Sequence, residues 1–185
     1  LFVDSRMDSS CRELLFGRDE LRPYVVHWNG RFVCLNAVPK VRSKARYANV
    51  GRREWHEQDK ILVRRTGDYI LAAVERDHRY ASNNFFLVIP KSATSPPLDA
   101  IAAVLNSRFM TWLFRTIEPR RGRVFAEVKI KHLAAFPLPD PMKKGREYSE
   151  LSDLGQRRAA VAEALSGNGE TAKSVVLTKQ AEYLD

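Results

Sequence analysis

The chain has 185 residues, 44% of them hydrophobic and 29% charged, with a net charge of +9. That is enough apolar material for one sizeable core, which excludes a disordered tail, and no apolar run approaches the ~18 residues of a membrane span. The positive excess is concentrated: residues 40–65 carry nine Lys/Arg against three Asp/Glu, residues 108–132 carry seven against two, and the remainder sums to −2.

The chain opens on Leu1, with no basic stretch followed by an apolar one, so no signal peptide is expected and a piece of a longer protein is. Cys11 and Cys34 are too few for a disulfide scaffold, which makes the cytoplasm the default compartment. His27, His56, His78 and His132 are scattered without zinc-ligand spacing and read as surface or polar-core residues. A turn at Gly17-Arg18-Asp19 leads into a strand over 24–28. Asn29-Gly30 is a type I′ hairpin signal, with 31–35 returning. Residues 39–60 lose apolar periodicity and hold most of the first basic block. They read as a long loop or irregular helix, a length usually functional or disordered.

Residues 59–75, DKILVRRTGDYILAAVE, are a second hairpin. A turn at Gly67-Asp68 pairs Val63 with Ala72 and Arg64 with Leu71. Ile61, Val63, Arg65, Ile70, Ala72 and Val74 then share one face, and Leu62, Arg64, Thr66, Tyr69, Leu71 and Ala73 the other. Both faces are mainly apolar, so both are expected to be covered. Arg64 and Arg65 point opposite ways beside the turn. At most one reaches outward easily, and the other is expected to pair with Asp68, Asp59 or Glu54. Residues 85–89 form a third core strand before Pro90.

Pro96-Pro97 opens a helix over 98–117. Leu98, Ile101, Leu105, Phe109, Trp112 and Leu113 form its apolar, core-facing stripe, with Arg108 and Arg115 on one flank. Pro119 ends it, Arg120-Arg121-Gly122-Arg123 is a basic loop, 124–130 a short strand, and 133–136 a turn closing at Pro137-Leu138-Pro139. Residues 140–145 read as a linker, 149–166 as an amphipathic helix, and 174–184 as a helical tail. The division is a domain over 1–139 and a linker with helical segment over 140–185.

Phosphate-binding glycine loops, the Gly-x-Ser-x-Gly elbow and the Asn-Pro-Pro-Tyr run of adenine methylation are all missing, and no residue is read as catalytic or metal-binding. Glu127-Val128-Lys129 is half of a metal-dependent nuclease signature without its upstream Asp, and gives one alternative reading. A protein-interaction module using the C-terminal helices is another. The basic blocks point to nucleic acid, because Lys and Arg bind phosphates and Arg also reads guanine. Arg42, Lys44, Arg46, Arg52 and Arg53 form one candidate DNA-binding set, and Arg120, Arg121 and Arg123 another. Arg64, Arg65, Lys129 and Lys131 rank below them. Tyr47 and Trp55 are candidate stacking residues.

Several stretches, in order, resemble the TaqI-like C-terminal specificity domain of adenine-specific DNA methyltransferases and single-chain restriction-modification enzymes. They are Leu15-Phe16-Gly17-Arg18-Asp19, Lys60–Arg64 with Arg65-Thr66-Gly67-Asp68, Asn83-Asn84-Phe85-Phe86-Leu87-Val88-Ile89-Pro90, Ala102-Ala103-Val104-Leu105-Asn106-Ser107-Arg108, and Val128-Lys129-Ile130-Lys131-His132-Leu133 with Phe136-Pro137-Leu138-Pro139. The resemblance implies a target-recognition domain partnered with double-stranded DNA and with an N-terminal methyltransferase domain. That separate domain binds S-adenosylmethionine, flips an adenine from the duplex and methylates its N6. No cofactor is implied for this chain itself. Type I specificity subunits share part of the pattern and attach a spacing helix, a role open to 149–166 alongside plain surface packing. The expected fold is α+β, a mixed, mainly antiparallel sheet with the 98–117 helix packed on it and helices at the C-terminus.

Overall fold

A strand apolar on both faces must be covered on both faces, and the hairpin of residues 60–75 is placed accordingly at the centre of the molecule. The computed structural model describes residues 2–37, 49–93, 95–119, 127–138 and 146–167. Its N-terminal part holds the short strands β1 (Phe2–Val3), β2 (Cys11–Leu15), β3 (Leu21–Arg22), β4 (Val25–Val26) and β5 (Phe32–Cys34). One helical turn, α1 (Arg53–His56), precedes β6 (Lys60–Arg64), β7 (Ala72–Glu75), β8 (Tyr80–Ala81) and β9 (Phe85–Val88). Helices α2 (Leu98–Leu105), α3 (Arg108–Ile117), α4 (Ile130–Ala135) and α5 (Arg146–Gly167) follow.

The strands form a central sheet ordered β7-β6-β9, a second ordered β1-β5-β2-β8, and a ribbon of β3 and β4. The named strands pair antiparallel except β2 with β8, so the fold is α+β as expected. The β6–β7 register pairs Val63 with Ala72, the predicted pairing. Its two faces separate two cores. Ile61, Val63, Ile70 and Ala72 pack against Ile101, Leu105, Met110 and Phe114. On the other side Leu62, Leu71 and Ala73 pack with Leu15, Leu21 and Phe85. Lys60 and Glu75 close one end of the sheet as a wholly buried pair, Lys60 Nζ 2.5 Å from Glu75 Oε2 and donating also to the His56 carbonyl at 2.8 Å.

Several expectations are overturned. Strands 24–28 and 31–35 do not form a hairpin at Asn29-Gly30. β4 pairs instead with β3, and β5 with β1 and β2. Pro23-Tyr24 makes the tight turn, with Tyr24 at φ 67°, the positive φ a type II turn needs after proline. The Asn29 N–H donates to the carboxylate of buried Glu20 at 3.1 Å, which ties that corner to residues 16–17. The helix expected over 98–117 breaks at Asn106-Ser107. Ser107 Oγ accepts the Met110 N–H and caps a new helix, turning Phe109 and Trp112 outward at 56% and 61% exposure. They are therefore not core residues. Of the strand expected over 124–130, the described part is a bridge from Glu127 to Thr66. Ile130 already begins α4, which replaces the turn at 133–136. Residues 124–126 lie outside the described residues.

Cys11 and Cys34 face each other across β2 and β5 and form a disulfide, so the compartment does not follow from cysteine usage. The helix expected over 149–166 begins earlier, at Arg146, and packs on α2 at Gly155. A Cβ there would stand 2.3 Å from the Asp99 carbonyl oxygen, so only glycine allows the approach. α5 thus docks on its own fold. The 140–145 linker and the 174–184 tail lie outside the described residues. Among the described residues no helix is long and apolar enough to cross a membrane.

Candidate nucleic-acid interface

Stretches far apart in sequence meet where β6 ends. The Phe16 carbonyl accepts from Asn84 Nδ2 at 2.6 Å and from Ser82 Oγ at 3.2 Å. The Arg65 N–H donates to the Asn84 carbonyl at 3.0 Å, and the Val128 N–H donates to the Arg65 carbonyl at 2.7 Å. Glu20 holds the adjacent corner by accepting the Phe16 and Gly17 N–H groups, each at 2.6 Å. Four motif stretches thereby secure one end of the central sheet. The fifth, residues 102–108, fastens the helices to its edge through Asn106. The Asn106 amide imitates a neighbouring strand: Oδ1 accepts the Ala72 N–H at 2.9 Å and Nδ2 donates to the Ala72 carbonyl at 2.8 Å.

Arg64 and Arg65 point to opposite faces as alternation requires, but the carboxylate partner is none of the expected three. Arg65 Nη2 lies 2.5 Å from Glu127 Oε1, and Nη1 donates to the Asn83 carbonyl at 2.9 Å. Asp68 instead pairs with Arg115 at 3.3 Å, while Asp59 stands between Arg76 and His78. Arg64 sits over the Tyr69 ring at 5.2 Å. Gly67, at φ +148°, leaves room for it, since a Cβ would come to 3.0 Å of Arg64 Nη2.

The other predicted contacts stand on different elements. Arg52 and Arg53 are exposed on or beside α1, with Arg52 over the Trp55 ring at 5.2 Å. Buried His56 anchors that turn, stacked on Tyr80 at 4.5 Å, with Nε2 donating to the Val50 carbonyl at 2.8 Å and Nδ1 accepting the Ala81 N–H at 3.3 Å. Burial pushes its pKa below the ordinary value. Burial and the bond to Glu57 push the Tyr80 phenol up to about 12. Lys129 is half-buried at the start of α4, its N–H donating to His132 Nδ1 at 3.1 Å, and Lys131 is exposed on that helix. Arg42, Lys44, Arg46, Arg120, Arg121, Arg123 and Tyr47 lie outside the described residues.

A cleft of about 670 Å³ separates α3 from the Pro23-Tyr24 turn, and Arg108, Trp112, Arg115, Arg158 and Pro119 line it. In sequence Pro119 immediately precedes the basic run 120–123. Reading 98–117 as one helix hid this cleft. The signal was the Asn-Ser pair, since serine caps helix N-termini and disfavours helix interiors.

A family model described as a TaqI-like C-terminal specificity domain matches residues 12–138. The chain belongs to the TaqI-like C-terminal specificity domain family. No curated protein matches it. The match takes in every motif stretch at the end of β6 apart from the final Pro139 and stops before α5. A TaqI-like specificity domain is a DNA specificity domain of a methyltransferase-type enzyme, so DNA and a catalytic partner domain are its counterparts.

In this specificity domain Glu127 serves structure. Its carboxylate is held by Arg65, and its backbone bridges Thr66. Among the described residues no three His, Cys, Asp or Glu side chains gather as a metal site.

Proposed function

We propose that this domain recognises a specific sequence in duplex DNA on behalf of an adenine-specific (N6) DNA methyltransferase or restriction-modification enzyme. It would hold the duplex for a catalytic domain that binds S-adenosylmethionine and flips the target adenine out of the stack. The observation that carries the proposal is the family match over 12–138. The dense basic stretches beside α1 and between α3 and Glu127 support it. On this reading Arg42, Lys44, Arg46, Arg52, Arg53, Arg120, Arg121 and Arg123 contact DNA. Arg64, Arg65, Lys129 and Lys131 contribute less, Arg65 because Glu127 already engages it. The domain would act in the cytoplasm, where bacterial DNA lies.

The test is an anisotropy titration of the intact protein against duplex DNA over a range of salt. Binding should weaken linearly in log–log form, and the double variant Arg120→Ala/Arg121→Ala should reduce the slope by about 1.8, roughly 0.9 per lost phosphate contact. Absence of binding at low salt would sink the proposal.

A further inference from the structure

We infer that the cleft between α3 and the Pro23-Tyr24 turn is a seat for the sugar–phosphate backbone of one DNA strand, with Arg108, Trp112 and Arg115 as the contacting face. The inference rests on the DNA-recognition reading and adds residues that lie outside the candidate DNA-binding sets. Positions 108, 112 and 115 are spaced i, i+4, i+7, so they lie on one face of α3. The face is cationic, aromatic, cationic, and it lines the cleft. Arg158 adds a third guanidinium from α5, placed over the Tyr24 ring at 5.4 Å. No aspartate or glutamate lines the cleft among the described residues.

The three guanidinia are held differently. Arg115 is oriented by Asp68, its Nε donating to the Asp68 carbonyl at 3.1 Å. Arg158 is fixed against Tyr24. Arg108 is exposed on the first turn of α3 and makes no ion pair among the described residues. Converging cations in a concave surface raise the local potential and attract an anion. Seven residues along a helix span about 10 Å, at 1.5 Å per residue. One DNA strand advances about 3.4 Å per nucleotide, so this distance covers about three phosphates. Trp112, 61% exposed, offers an apolar ring to the deoxyribose between them. Its exposure is unexplained by packing, since Met110 and Phe114 on the other side of α3 supply the core contacts. Guanidinium contacts of this kind position a duplex and carry no sequence information.

The experiment is anisotropy of the full chain with a labelled duplex at several salt concentrations, using two unrelated sequences. Arg108→Gln is the test variant, Trp112→Phe the conservative aromatic replacement, and Arg146→Gln the control, exposed on α5 away from the cleft. Arg108→Gln should lower the log–log salt slope by about 0.9 and weaken binding to both sequences by the same factor. Trp112→Phe, which presents a smaller ring to the deoxyribose, should weaken binding to both sequences alike and leave the salt slope unchanged, and Arg146→Gln should bind as the parent does. If the parent binds with a salt slope that Arg108→Gln leaves unchanged, the cleft assignment falls and the DNA-recognition reading stands. If Arg108→Gln weakens one sequence only, Arg108 reads bases and the backbone assignment falls. If the parent shows no salt-dependent binding, both fall together.

Discussion

Replacing Asn106 by alanine removes three hydrogen bonds that fasten the helices to the edge of the central sheet. The Ala72 N–H loses Oδ1 at 2.9 Å, and the Ala72 and Ala102 carbonyls lose Nδ2 at 2.8 and 3.0 Å. These losses are unequal. The Ala72 carbonyl keeps the Tyr24 N–H at 2.9 Å, and the Ala102 carbonyl keeps the Asn106 N–H at 3.0 Å. The Ala72 N–H keeps nothing, at a residue with no solvent exposure. A stranded buried donor costs about 2 kcal/mol, and the bonds lost from groups that stay satisfied add about 1, giving about 3 kcal/mol. With a melting entropy of ~2.1 cal/mol/K per residue, a chain this size has about 0.4 kcal/mol/K, so the midpoint should fall by about 8 °C. Differential scanning calorimetry of the full chain, with circular dichroism to confirm folding at low temperature, reads this directly. A fall under about 2 °C would mean that Asn106 is not the fastening and that the motif asparagine owes its place to something else.

Lys60→Met should cost about 3 kcal/mol, because it leaves the buried Glu75 carboxylate with only the more distant Arg79 guanidinium at 3.6 Å as a cationic partner, whereas Lys60→Met with Glu75→Leu should cost less; a double-mutant cycle in urea checks this, and a single-variant loss under about 1 kcal/mol would refute it. Burial lowers the folded-state pKa of both His56 and His132. The unfolded chain then binds protons more readily, so stability is full above pH ~6.5 and declines as pH falls, by up to about 1.4 kcal/mol per unit for each histidine. Urea midpoints at pH 7.5 and 5.5 should differ in that direction, and identical midpoints would contradict the burial. Gly155→Ala should force α5 off α2, as the new Cβ meets backbone rather than a yielding side chain. Hydrogen exchange over residues 146–167 should rise, and unchanged protection would show the packing to be looser than described.

Legibility followed the range of the signal. The central hairpin was readable because alternation over 60–75 is local and strict, and its register and both faces emerged as predicted. The third strand before Pro90 was equally plain. What failed depended on partners distant in sequence. Asn29-Gly30 carries a hairpin dipeptide, but Glu20 captures the Asn29 N–H and β5 finds β2 instead. The apolar spacing over 98–117 crosses a helix break without interruption, so it places Phe109 and Trp112 in a core they do not enter. The carboxylate beside Arg65 could not be named from nearby sequence, since Glu127 lies 62 residues away. Of the candidate interface, the motif framework was legible through its ordered resemblance. The cleft on α3 was not, because it needs the Pro23-Tyr24 turn and α5 to become concave.

The central claim is that this domain reads DNA sequence. The most direct measurement is selection of duplexes from a randomised library by the intact protein that carries it, at salt high enough to suppress non-specific binding. A single enriched motif containing an adenine, weakened by mismatches within it and unaffected outside it, is the predicted result. Retention of duplexes without a consensus, or loss of all binding at that salt, would contradict the account.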